Sequence, residues 1–153
     1  MNPGWALWAA AAAAGIPVMA ALNGTLSRQL GSTPAAAVVL FVVALAGAAA
    51  VLVLSGDAVR LAGIDLSTPL LFGGGLIVCA YVLSVTHLAP RFGVANTILF
   101  VMTAQVVTSS VVDHYGLFGA TVRPVGTMRL LGLTLLLAGL ALTQLAPAGN
   151  AAK

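Results

Sequence analysis

The chain has no glutamate, and its only acidic side chains are Asp57, Asp65 and Asp113. Lysine and arginine number six, so charged residues are 6% of the 153. A soluble domain carries about 25%, because water must wet its surface. Here 61% of residues are hydrophobic and the mean hydropathy is +1.12. Such a chain cannot clothe a water-facing surface, and lipid must replace water around most of it. The six cations are scattered rather than clustered, which excludes a nucleic-acid footprint. A single cysteine, Cys79, sits in an apolar run, so no disulfide or cysteine metal site can be built within this sequence, and it reads as a packing residue. His87 and His114 fall on different segments without ligand spacing. GxSxG, HExxH and phosphate-loop patterns are missing, and Gly73-Gly74-Gly75 is not followed by Lys-Ser/Thr. No metal and no cofactor are expected. Acids and bases are too few to assemble a membrane enzyme.

What the sequence does have is long apolar runs. A helix needs about 20 apolar residues to cross a hydrocarbon core of about 30 Å. Five segments qualify, at residues 5–30, 34–54, 70–88, 95–112 and 128–145, predicting one all-α integral membrane domain over 1–153. The Ala-rich start lacks a positively charged n-region and four more spans follow, so it reads as a retained helix. Pro17 should bend that helix near its middle, and Gly31 is a natural stop at its end. Trp5 and Trp8 suit an interface anchor. Gly132 and Gly139, seven apart, suit close helix approach, as do Gly15 and the three glycines from Gly73. The link LAPRFGV, Leu88 to Val94, predicts a tight antiparallel hairpin of helices three and four. SGDAVRLAGIDLSTP is the most polar loop, where Asp57 and Asp65 should be solvated.

Five spans place Arg60, Arg123 and Arg129 on one side and Arg28, Arg91 and Lys153 on the other. Orientation normally follows a cytoplasmic excess of Lys and Arg. Three against three gives no preference: either a loop boundary is shifted or one signal dominates, or the chain has dual topology and pairs as an antiparallel homodimer, the two-chain form of an inverted repeat.

Helix four carries the polar chemistry. Thr97, Gln105, Ser109 and Asp113 recur at multiples of four and form one slanted stripe, with Asn96, Thr103 and Thr108 beside it. Gln105 is near mid-span, about 15 Å of rise beyond Ala95. Its amide has four hydrogen-bonding sites that lipid cannot satisfy, so it faces protein, water or a ligand. Asp113 near the helix end either caps the following turn or serves as a protonatable carboxyl, with His114 next to it. A second polar cluster, Asn23 to Arg28, closes helix one, where Asn23 suits either binding or structure and Arg28 suits snorkelling to the interface.

Two blocks carry a family resemblance. GIPVMAALNGTLSRQLGSTPAAAVVLFVVALAG resembles the first two helices of the YdcZ-type proteins, half-length members of the drug/metabolite transporter superfamily. LAPRFGVANTILFVMTAQVVTSSVVDHYGLFG, followed by RPVGTMRLLGLTLLLAGLAL, resembles their most characteristic block. There a Gln on helix four precedes Asp-x-x-Gly, the positions held here by Gln105, Asp113 and Gly116. The resemblance implies half of a ten-helix transporter in the bacterial inner membrane, exporting a small molecule as an antiparallel homodimer or with a homologous paired chain. The related small multidrug resistance proteins use a glutamate on helix one, which this chain lacks, so their proton-for-cation exchange does not carry over. The resulting expectation is a cavity lined by helices one, three and four. Substrate would meet Gln105 and Asn23, then Thr103, Ser109 and Tyr81, with Asp113 and His114 as the proton-coupling candidates. A non-transporting scaffold subunit and a passive facilitator or channel are the competing readings.

Overall fold

The computed structural model describes residues 3–145, and Lys153 of the charge count lies outside them. The described chain is helical, without strands: α1 (Pro3–Leu30), α2 (Thr33–Leu54), α3 (Gly73–Phe92), α4 (Val94–Tyr115) and α5 (Thr127–Leu145). Each is long and apolar enough to span a membrane, with mean hydropathies from 1.5 to 3.0. A 22-residue helix such as α2 or α4 measures about 33 Å at 1.5 Å per residue.

The largest departure from the expected boundaries is in α3. Leu70–Phe72 form a 3₁₀ turn begun by Pro69, and the α-helix starts at Gly73. At its other end the helix does not stop at Leu88 but runs through Pro90 to Phe92. Proline removes one N–H and crowds the carbonyl four residues back, a loss that a helix end can bear. The helix ends at Gly93, whose φ of 89° is left to glycine. The link to α4 is therefore one residue rather than seven. Pro17, by contrast, lies in a helix that continues on both sides of it. Gly31, with φ 63°, stops α1 as expected, and Ser32 caps α2 by accepting from the Ala35 N–H at 3.2 Å, with Pro34 in the first turn.

The chain forms two compact units, divided between Ala95 and Asn96. In the first, α1, α2 and α3 pack together through Ala20, Ala36, Ala37, Val82, Val85 and Ala89. These are small side chains, as suits lipid, where apolar burial does not drive association and close packing must. At Gly24 the helices meet tightly: a Cβ there would stand 3.1 Å from Pro90 Cγ. The outward faces, including Val42, Val43 and Leu45 of α2, are exposed and apolar, as lipid requires. The polar loop of this unit is solvated. Asp57 pairs with Arg60 at 2.9 Å, and Asp65 accepts from the Ser67 N–H and hydroxyl at 2.8 and 2.7 Å. Those bonds, the backbone one foremost, hold the Asp65 carboxyl below the ordinary carboxylate range.

The second unit contains α4, α5 and the loop between them. No described residue of α5 is buried, and a Cβ on Gly132 or Gly139 would meet nothing within 4 Å.

Candidate functional site

Most hydroxyls of the α4 stripe are satisfied by their own helix. Thr103 Oγ1 donates to the Leu99 carbonyl at 2.8 Å. Ser109 and Ser110 both donate to the Val106 carbonyl, at 3.0 and 2.7 Å. A serine or threonine that bonds back in this way spends its one donor within its own helix. Thr103, Ser110 and Thr97 are buried, whereas Ser109 is exposed. Gln105 differs from them: its amide makes no bond back to its own helix. It is exposed, eleven residues into α4, and has no hydrogen-bond partner among the described residues.

At the end of α4, Asp113 and His114 hold the loop to α5. The Arg123 N–H donates to the Asp113 carbonyl at 2.8 Å. The Asp113 carboxylate accepts from Arg129 Nη2 at 3.0 Å, both side chains being about one-third exposed. His114 Nδ1 accepts from the Val125 N–H at 3.1 Å, so an unprotonated Nδ1 is part of the loop's fold. Gly116, with φ 61°, takes the left-handed position that ends the helix. A Cβ there would stand 2.6 Å from Val122 Cγ2. The Asp-x-x-Gly block thus folds a loop: the aspartate ties the segment leading to α5, and the glycine makes room for it.

In the first unit, Asn23 is 5% exposed and its Nδ2 donates to Thr86 Oγ1 at 2.6 Å. That bond joins α1 to α3. Asn23 also lines an apolar groove of about 560 Å³ between α1 and α2, with Gly15, Val18, Met19 and Val43. Tyr81 is half-buried, and its hydroxyl oxygen is fully buried with no partner among the described residues. Within each unit, then, the structure pairs Asn23 with Thr86 and Asp113 with Arg129, and leaves Gln105 and the Tyr81 hydroxyl unpaired. Neither Thr86 nor Arg129 was legible as a partner in sequence, because nothing local connects residues 63 or 16 positions apart. No group of three metal-ligating side chains occurs among the described residues.

A family described as "Putative inner membrane exporter, YdcZ" matches residues 4–142. No curated protein and no solved structure matches the chain.

Proposed function

We propose that this chain, which belongs to the YdcZ family of inner-membrane exporters, is one half of a small-molecule transporter that works by alternating access as an antiparallel pair. The observation that carries the reading is Gln105. It lies mid-span, roughly 16 Å of rise beyond Val94, exposed and without a hydrogen-bond partner among the described residues. Hydrocarbon cannot satisfy an amide, so a second chain or a bound solute must. The buried, unpartnered Tyr81 hydroxyl makes the same demand. Substrate contact is assigned first to Gln105, then to Tyr81 and Asn23, with Ser109 and Thr103 as lesser contributors. The bare surface of α5 and the even split of cations are what a pair of oppositely inserted copies, or a homologous paired chain, would use. Proton coupling, where it operates, falls to Asp113 beside His114. A proton on that carboxylate would remove the charge that holds Arg129 and would loosen the α4–α5 loop.

The test is saturable uptake of neutral and zwitterionic solutes into proteoliposomes. Gln105→Ala should lower it by roughly tenfold or more while leaving helix content intact, as loss of a buried polar contact to a substrate does. Wild-type rates in that variant would sink the reading, and uptake that fails to saturate would mark a channel. In the same assay, pH-driven uptake unchanged in Asp113→Asn would remove Asp113 as the coupling group.

Insertion is tested separately. In a Cys79→Ala background, one cysteine replaces Ser67 in the exposed loop before α3. An impermeant maleimide should label about half of the chains in intact cells if they insert both ways. Labelling of all or none excludes the homodimer of opposite copies and leaves a homologous paired chain.

A further inference from the structure

A second polar site lies at the end of the first unit where α1 and α3 finish and α2 begins. A cavity of about 350 Å³ opens there, lined among others by Ser27, Arg28, Thr33, Thr86, His87 and Arg91. No carboxylate lines it. The two ion pairs among the described residues use Arg60 and Arg129, so neither Arg28 nor Arg91 has an acidic partner there. Arg28 Nη2 donates to Thr25 Oγ1 at 3.0 Å, and Arg91 spends Nη1 on His87, 2.7 Å from its ring nitrogens and 3.1 Å from its carbonyl. Each guanidinium has five N–H groups, so most are unspent.

A cation at a helix C-terminus is ordinary, since it meets the negative end of the dipole. The hydroxyls around these two are not ordinary. Thr86 is 2% exposed, and its oxygen already accepts from Asn23. Its own proton has no acceptor among the described residues, because no bond from Thr86 back to its helix is made, unlike those of Ser84 and Thr103. Ser27 and Thr33 face each other at 3.0 Å, an arrangement in which one hydroxyl donates and the other keeps a free proton. The first turn of α2 adds only its Thr33 hydroxyl, since Pro34 has no N–H and the Ala35 and Ala36 N–H groups are taken by Ser32. Two guanidinium groups and at least two hydroxyl protons therefore converge on one cavity that offers them no carboxylate.

We propose that this cavity binds a phosphate group. A tetrahedral phosphate presents acceptor oxygens in several directions, which matches donors that arrive from three helices, and its charge offsets two arginines that otherwise repel. The site lies at helix ends, the depth of lipid headgroups. Its occupant is the phosphate of an anionic phospholipid or of a soluble phosphorylated solute. The inference does not depend on transport, and it is tested by binding.

The full chain is purified in neutral detergent and titrated with phosphatidylglycerol in one arm and inorganic phosphate in the other. Native mass spectrometry and the thermal midpoint are the readouts. Wild type should retain the ligand and gain several degrees. Arg28→Gln/Arg91→Gln should bind at least tenfold more weakly, whereas Arg60→Gln/Arg123→Gln, with the same loss of charge, should bind as wild type. Binding of phosphatidylglycerol unaffected by inorganic phosphate identifies a lipid headgroup, and displacement by phosphate identifies a soluble ligand. Arg91→Gln alone, which alters an exposed side chain, carries the same comparison if the double variant does not fold. The proposal is overturned if neither probe binds wild type, if the double variant binds equally well, or if the control pair loses as much.

Discussion

Gly116→Val should unfasten the loop between α4 and α5. Two costs add at this position. The backbone has φ 61°, where a β-branched residue loses roughly 1–2 kcal/mol relative to the right-handed region. The new Cβ would also stand 2.6 Å from Val122 Cγ2 and 3.2 Å from the Ala120 carbonyl, contacts that require the loop to move. Overpacking of this kind costs about 1–3 kcal/mol. A combined loss of about 3 kcal/mol corresponds to roughly 100-fold in local opening. Hydrogen exchange at Arg123 and Val125 reads it directly, because those N–H groups are held by Asp113 and His114 only while the loop is closed. Gly116→Ala combined with Val122→Ala removes most of the collision and should leave only the backbone cost. Unchanged protection in Gly116→Val would contradict the loop geometry.

Gly24→Leu should separate α1 from α3. The glycine is buried, and its missing side chain lets the Pro90 ring approach. Alanine alone would place Cβ 3.1 Å from Pro90 Cγ and 3.4 Å from Cδ, tight against a rigid ring. Leucine adds three further carbons to a crossing that already holds the Asn23–Thr86 bond next door, and should cost about 2–3 kcal/mol. The thermal midpoint in detergent checks this against Gly15→Leu, where nothing lies within 4 Å and no comparable loss is expected. Equal midpoints for the two variants would rule out the α1–α3 crossing. Pro90→Ala in the Gly24→Leu background should recover part of the loss.

The fold was legible because hydropathy and span length are local properties. Five apolar runs became five helices, with ends shifted by a few residues. The exception is instructive. Leu88 to Val94 reads as a turn because it contains both Pro90 and Gly93, yet only the glycine leaves the helix. Proline near a helix end sacrifices one donor, and here Ala89 is buried and Pro90 lies against Gly24 of α1. Gln105 stood out in sequence because an amide at mid-span needs explaining in any fold. Whether its neighbours share that need is not a sequence property: Thr103, Ser109 and Ser110 meet theirs within one turn of helix. The role of Asp113 in the loop depends on Arg129, whose approach is set by the path of residues 116–126 rather than by any spacing rule.

The small side chains between α1, α2 and α3 bear on the entropy of folding. Alanine and glycine have no side-chain rotamers to lose, and valine gives up a single torsion, whereas a leucine or methionine core would surrender about 0.5–2 kcal/mol per residue. Apart from the bonded pair Asn23 and Thr86, the centre of this unit consists of Ala20, Gly24, Ala36, Ala37, Val82, Val85 and Ala89. Ordering it therefore costs mainly backbone freedom, and most of that is already surrendered when each helix inserts into the bilayer as a separate span. Weak dispersion contacts are then enough to hold three helices together in a solvent that offers no hydrophobic driving force.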